Sequence, residues 1–340
     1  MKAVAIVNPV CGRTRGSRLR AEALAELKRL FPGITVLETA MPGHAAELAR
    51  GVSDADLVIA VGGDGTVREV GSGLVGTETP FAIVPAGSGN DFTKTAGIPS
   101  NVRQACHIAR HCKPIKFDAV RLTPMLRPGT GHDSGWGHDP NPPGIWDRVP
   151  SPEPGGLCPE PTIFVNAAGF GFDAAVTAEA SKSRHLQGLA LYAAAVFRAV
   201  RDYACPKVRV RLEGKEWEQP VLMLAAANGR VYGGGMKIAP DAEPDDGLLD
   251  ICVIEAVSRF TVYRRLPRFV AGTHTTLREV RMYRSPWLEV ELVEDQEQLT
   301  EARHARLQLD GDLVPNETWR GFRLDVLPLA LTVLAEKRTI

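Results

Sequence analysis

The chain carries no net charge: forty lysines and arginines balance forty aspartates and glutamates over 340 residues. That balance excludes attraction to nucleic acid through overall basicity, and leaves only local basic patches to consider. Long apolar runs are missing too. "LALYAAAVF" and "VLPLALTVLA" each reach only about half of the ~20 residues that cross a bilayer, so no transmembrane helix is expected. The opening "KAVAIVNP" lacks the charged lead, apolar centre and small-residue cleavage site of a signal peptide, which points to the cytoplasm. The six cysteines, Cys11, Cys106, Cys112, Cys158, Cys205 and Cys252, form no CxxC pair. They read as reduced thiols rather than as a disulfide framework. Aromatic residues are scarce at 6%, yet hydrophobic residues at 44% are ample for an ordinary globular core.

The length favours about two domains. In the first third, apolar runs alternate with helical patterns: "AVAIV", a helix from Ser17 to Leu30, "ITVLET", a helix from His44 to Gly51, "LVIAV", a helix after Thr66, and "FAIVP". This is the signature of an α/β unit with a parallel sheet. Residues Pro124 to Pro161 are crowded with Pro, Gly and His and lack periodicity, so a long loop or insertion is expected there. Beyond it, "TIFVNAAGFGFDA", an apolar helix from Leu186 to Tyr203, and short runs from "KVRVRLEG" to "RLQLDGD" predict a β-rich, largely antiparallel domain with one or two helices. The closing "GFRLDVLPLALTVLA" is apolar enough to return to the first domain. The expected division is 1–120 with 320–340 as one domain and 121–319, carrying the 124–161 insertion, as the other.

The stretch "VGGDGTVREV" follows one strand of the first domain and opens a helix. Glycines at 62, 63 and 65 allow backbone amides to approach an oxyanion, and the helix N-terminus favours negative charge. Asp64 would repel a phosphate unless a divalent cation lies between them, so the turn reads as a nucleotide and Mg²⁺ site. The alternative is a tight turn closed by a T-x-x-E capping box, Thr66 to Glu69, with Asp64 in solvent. "PAGSGNDF" repeats the design after the next strand, with Gly87, Gly89, Ser88, Asn90 and Asp91. Two such turns on neighbouring parallel strands face one crevice at the carboxyl edge of the sheet. After the first strand, "NPVCGRTRGSR" offers Asn8, Arg13, Arg15 and Arg18 to the phosphates, or forms a solvated basic loop. Neither a Walker A loop nor G-x-G-x-x-G fits.

"APDAEPDDGLLDI" supplies carboxylates for proton transfer: Asp241, Glu243, Asp245, Asp246 and Asp250 are chemically similar candidates, and an acidic turn is the alternative. His107 and His111 stand at i, i+4, and "HDSGWGHD" clusters His132, Asp133, His138 and Asp139; both are metal-ligand types, but an ordinary surface helix and an unstructured insertion are the favoured readings. The Leu186–Tyr203 helix packs a core or lines an acyl-chain pocket. "SRFTVYRRLPRF", with Arg259, Arg264, Arg265 and Arg268, forms a solvated amphipathic face or touches anionic lipid headgroups.

Taken together and in order, "NPVCGR", "GGDGT", "PAGSGNDF", "GFGFDA", "DDGLLD" and "LDGD" resemble the diacylglycerol kinase catalytic-domain family, which includes bacterial soluble lipid kinases, sphingosine kinases and ceramide kinases. The resemblance spans nearly the whole chain except the insertion. It implies a nucleotide domain similar to phosphofructokinase and NAD kinases, a β-rich second domain, ATP and Mg²⁺ as cofactors, and a lipid hydroxyl as acceptor at a membrane surface. By position it implies an ATP phosphate loop at Gly63, Asp64, Gly65 and Thr66, Ser88 in place of a common Thr, an acidic pair Asp91 and Asp118 acting with Asp64 on Mg²⁺, Arg13 where Lys is common, and Asp246 as general base. Arg68 departs from a frequent Asn, which puts that position's role in doubt. The reading is an ATP-dependent lipid kinase, most simply of diacylglycerol. Its rivals are an NAD kinase-like phosphotransferase and a non-catalytic lipid- or nucleotide-binding module. No protein partner is implied, and a homodimer is compatible with the sequence.

Overall fold

The computed structural model describes residues 1–52, 54–126, 162–182, 188–293, 306–315 and 319–336. Apolar runs build a parallel sheet first: β1 (Ala3–Val7), β2 (Thr35–Glu38), β3 (Leu57–Gly62) and β4 (Phe81–Pro85), in the spatial order β4-β3-β1-β2. β1, β3 and β4 are buried along their whole length, which is why they read as continuous hydrophobic runs rather than alternating ones. The crossovers are α1 (Arg13–Leu30), α2 (His44–Gly51) and α3 (Asp64–Leu74). The short α4 (Asp91–Thr95) and α5 (Val102–His111) follow β4. Their apolar faces close a core around Ile6, Leu27, Ile59, Phe81 and Phe92.

The remainder is mostly antiparallel. β5 (Pro114–Leu126) pairs with β6 (Thr162–Phe164), and β7 (Ala167–Gly171), β8 (Lys207–Leu212), β9 (Lys215–Ala227), β10 (Leu249–Glu255), β11 (Val280–Ser285), β12 (Trp287–Leu292), β13 (Leu307–Leu309) and β14 (Asp312–Val314) extend the sheet. The expectation of one or two helices here falls short. Among the described residues there are three α-helices: α6 (Phe172–Ser181), α7 (Gly188–Asp202) and α8 (Arg259–Ala271). They cover an apolar cluster that includes Phe172, Val196, Leu222 and Ile254.

Two long strands stitch the halves together. β15 (Trp319–Leu334) runs antiparallel to β5 and touches β4 in parallel at Val333↔Phe81. Along β5 the packing passes from the first core at Ala119 to the second at Val120, and along β15 it passes between Leu327 and Val326. Residues 320–326, expected in the first domain, therefore pack Phe322 and Leu324 in the second core. The insertion also starts later than its composition suggests: Pro124, Met125 and Leu126 are strand residues paired with Phe322, Gly321 and Trp319. Residues 127–161, with Cys158 and the "HDSGWGHD" stretch, lie outside the described residues. The other five cysteines are free thiols, and no helix among the described residues is long and apolar enough to cross a membrane.

Candidate active site

Three loops leave the carboxyl ends of β1, β3 and β4, where parallel α/β sheets bind ligands. Apart from Gly12, at φ 65°, the glycines of these loops serve contact rather than unusual dihedrals. Gly62, Gly63, Gly65, Gly87 and Gly89 are not among the left-handed glycines, and Gly63 is extended at φ −101°, ψ −169°. A Cβ on Gly87 would sit 2.4 Å from the Gly63 Cα, and one on Gly12 would sit 2.4 Å from the Ala86 carbonyl oxygen. The loops thus pack backbone on backbone, and any side chain there forces them apart. The left-handed non-glycine residue of these loops is Asn90, at φ 51°. Its side chain accepts from the Gly87 amide (3.2 Å) and donates to the Gly87 carbonyl (3.0 Å), holding the second loop shut.

The other loop residues divide into fasteners and free groups. Asn8 donates to Thr66 Oγ1 (3.2 Å), fastening the first loop to the start of α3. Ser88 is exposed at the tip of the second loop. Arg13 opens α1, and its side chain lies outside the described residues. The capping-box alternative fails: α3 has no side-chain cap, and Glu69 accepts instead from the amides of Gly43 (2.9 Å) and Ala45 (3.1 Å) at the start of α2.

Asp64 accepts from the Asp91 amide at 2.6 Å, so its carboxylate ties the first glycine turn to the second. Burial, and then the charge of Asp91, push its carboxyl up to about 7. Asp91 is itself buried, paired with Lys94 (2.7 Å) and accepting from the Gly234 amide (2.9 Å) of the second half. Asp118, grouped with these two in the sequence analysis, belongs elsewhere. It is fully buried and accepts from the amides of Gly247 (2.7 Å) and Leu329 (2.7 Å). It pins the turn that carries Asp246 and the irregularity in β15, where Leu329 is left-handed at φ 52°. Burial raises its carboxyl, and its charged neighbours are Asp246 and Asp245. Among the described residues no three His, Cys, Asp or Glu groups assemble as a metal cluster. The fit to Mg²⁺ is therefore partial: buried Asp91 and half-buried Asp64 form a close carboxylate pair with the hard oxygen donors that Mg²⁺ prefers, and Asp118 takes no part in it.

Asp246 accepts from the Leu248 amide (3.0 Å) and is ion-paired with Arg284, which also reaches Asp250 at 3.6 Å. Arg284 went unnoticed in the sequence because it stands on β11, far along the chain. Asp250 is raised to about 6 by burial, against the pull of Arg284. A second carboxylate, also unremarked, lies against the phosphate loop itself: a Cβ on Gly65 would meet Asp312 Oδ2 at 2.9 Å, and Arg68 of α3 pairs with that oxygen at 2.7 Å. The uncertain position 68 is thus an ion-pair bridge between the two halves, not a solvated helix face. Next to it, Asp310 accepts from the amides of Val165 (3.0 Å), Asn166 (3.0 Å) and Ala167 (2.9 Å), and burial raises its carboxyl. The "LDGD" motif was the available signal for both aspartates.

Beneath α8 lies an apolar cavity, open at its mouth and walled by α6, α7, α8, β9 and β10, with Phe172, Val196, Met223, Ile254, Leu266 and Phe269 among its lining. Three charged side chains reach its wall: Asp173, which accepts from Gln308 (2.8 Å), and the Arg265–Glu279 pair (2.8 Å). His107 and His111 stack at 5.6 Å, with His107 beside Glu26 at 3.6 Å.

Comparison with known proteins bears on the fold and the family. Residues 2–122 match the diacylglycerol kinase catalytic domain, and residues 166–335 match the YegS C-terminal NAD kinase beta sandwich-like domain. The chain is 30% identical over 299 residues to a protein named diacylglycerol kinase from Mycobacterium tuberculosis, covering 85% of each chain. It is 28% identical over 325 residues to a "Probable lipid kinase YegS-like" of Chromohalobacter salexigens, covering 92% of this chain and 88% of that one. Among solved structures, a diacylglycerol kinase from Bacillus anthracis str. Sterne aligns with a TM-score of 0.64 at 20% identity, covering 100% of this chain and 98% of that one.

Proposed function

The chain belongs to the diacylglycerol kinase family of lipid kinases, and from that premise we propose that it transfers the γ-phosphoryl group of ATP to a lipid hydroxyl, with diacylglycerol the favoured acceptor and phosphatidic acid the product. One observation carries the lipid reading: a phosphate-type glycine edge in one half and an open apolar cavity in the other. A reaction between a nucleotide and an acyl lipid needs both. An NAD kinase-like reaction has a polar acceptor and gives the cavity no task.

Amides of the 63–65 turn and of Ser88 and Gly89, with the N-terminus of α3, face the nucleotide phosphates. Asp64 and Asp91 are the residues that would hold Mg²⁺, which neutralises phosphate charge when bound. Asp312, over Gly65, takes the proton of the acceptor hydroxyl as its oxygen bonds to the γ-phosphorus and the bond from that phosphorus to the bridging oxygen breaks, releasing ADP. Asp246 stays the second candidate for that role, held by Arg284 beside Asp118.

The test is phosphoryl transfer from MgATP to diacylglycerol, sphingosine, ceramide and undecaprenol in mixed micelles, with NAD in parallel. Labelling of diacylglycerol above the others is the expected result. Labelling of NAD favours the NAD kinase-like reading, and nucleotide binding without transfer to any acceptor favours a non-catalytic module.

A further inference from the structure

Exposed aromatic side chains are concentrated in one place. Among the described residues three are largely exposed, Phe197 (67%), Phe260 (74%) and Tyr263 (36%), and all lie on α7 and α8. The Phe197 and Tyr263 rings are 5.6 Å apart, and the Tyr263 hydroxyl donates to the Phe197 carbonyl at 3.3 Å. Phe260 precedes Tyr263 by three residues and Arg264 by four, so the three share a helix face. α8 contains no acidic residue and buries none of its side chains completely.

The arginines of α8 fall into two sets. Arg265 pairs with Glu279, and Arg268 donates to the Thr273 carbonyl (2.7 Å) and to Thr276 Oγ1 (2.7 Å). Arg259 and Arg264 are exposed, as is Arg198 beside Phe197, and none of these three has an ion-pair partner among the described residues. In a chain whose charges balance overall, this face alone among the described residues joins unpaired arginines to exposed rings. On its inner side α8 turns Val262, Leu266 and Phe269 to the cavity.

We propose that the α7–α8 face seats the protein on an anionic bilayer, with Phe197, Phe260 and Tyr263 entering the headgroup boundary and Arg198, Arg259 and Arg264 meeting lipid phosphates. Charge complementarity selects this occupant, because the rings match the interface and the unpaired arginines match a negative surface. Continuity supports it, since the same helix roofs the cavity from which an acyl chain would be drawn. That last link rests on the lipid-kinase reading, while the docking itself does not.

The experiment is co-sedimentation of the full chain with phosphatidylcholine vesicles with and without phosphatidylglycerol, over a salt series. Expected is binding to the anionic vesicles alone, weakening as salt rises. Arg259→Ala with Arg264→Ala should weaken it roughly thirtyfold, and Phe197→Ser with Phe260→Ser at least tenfold. Both double variants should keep the parent melting transition and the parent turnover of a dispersed short-chain acceptor without vesicles. The proposal is overturned if the parent ignores anionic vesicles, if either double variant binds as the parent does, or if the substitutions dissociate a dimer instead. Arginine-dependent vesicle binding without phosphoryl transfer to any lipid keeps the docking face and removes the lipid-kinase reading.

Discussion

The glycine edge and the α7–α8 face are built by opposite means. At the edge, loops touch through backbone atoms, amides are held by Asp64, Asn90 and Asp91, and a methyl group is too much at Gly87. At the α7–α8 face, a helix with no fully buried side chain spans an open apolar space. The contrast follows from the ligands proposed for each. A phosphate has one size and one charge pattern, so a stiff, preorganised cradle suits it. Acyl chains vary in length and conformation, and loosely packed apolar walls accept that variation at little cost. The phosphate end should therefore fail abruptly under small changes, and the lipid end gradually under large ones.

The largest expected effect separates the two carboxylates. Asp312→Asn keeps the shape over Gly65 and removes the proton acceptor, so kcat for diacylglycerol should fall by ~10²- to 10⁴-fold with little change in nucleotide Kd. Asp246→Asn, bound to Arg284 and not in contact with the glycine turn, should cost far less. Steady-state kinetics and ATP calorimetry on both variants decide it. The reverse order of losses would return the role of base to Asp246.

Next comes the cradle itself. Gly87→Ala places a methyl group 2.4 Å from the Gly63 Cα, a backbone atom that cannot swing aside, and 2.9 Å from the Asn90 oxygen that closes the loop. A clash of this kind costs about 1–3 kcal/mol, which, if it falls on the binding geometry, weakens MgATP by roughly five- to 150-fold. Gly63→Val should act the same way through Gly87. Calorimetry showing unchanged affinity in both would mean that the nucleotide binds elsewhere.

How much of this was legible beforehand depends on chain separation. β1, β3 and β4 are buried on both faces, so their composition announces them, and the turns that follow are marked by glycine. The reason for those glycines was not legible, because the contact between Gly63 and Gly87 belongs to two loops meeting in space. Arg68 with Asp312, and Asp118 with Leu329, join positions more than two hundred residues apart. No periodicity encodes such pairs. Glu69 fitted a local capping pattern and was drawn instead to the start of α2, a case of tertiary structure overriding a short motif. α8 carries a proline and four arginines, and its apolar positions face a cavity rather than a tight core, so its pattern reads as solvated.

The soft end should respond by chain length. Leu266→Trp thickens the roof of the cavity without touching the glycine loops. Losing room for two methylenes is worth about 1.6 kcal/mol, so kcat/KM for long-chain diacylglycerol should drop by about fifteenfold. A short-chain acceptor should lose less, and the ATP Kd should hold. Equal losses at every chain length would mean that acyl groups do not occupy this cavity.

The smallest effect probes the stiff end from its electrostatic side. The Asp64 carboxyl rises to about 7 in the folded protein because burial and Asp91 both oppose its charge. Since the folded state holds this proton more tightly than the unfolded chain does, the stability it confers is complete below about pH 4 and is lost as pH climbs through about 7. Asp64→Asn has no proton to lose and keeps one acceptor oxygen for the Asp91 amide. Its stability relative to the parent should therefore grow across that window, by about 1–3 kcal/mol once the coupling to Asp91 is discounted. Asp118, Asp250 and Asp310 are raised in both proteins, so the difference between the two isolates position 64. Saturating MgATP should narrow the gap, because a cation beside the carboxylate favours its charged form. Denaturation curves at several pH values, with and without MgATP, measure it. A gap that ignores pH would mean that Asp64 stays ionised throughout, and one that ignores MgATP would remove Asp64 from the residues proposed to hold the cation.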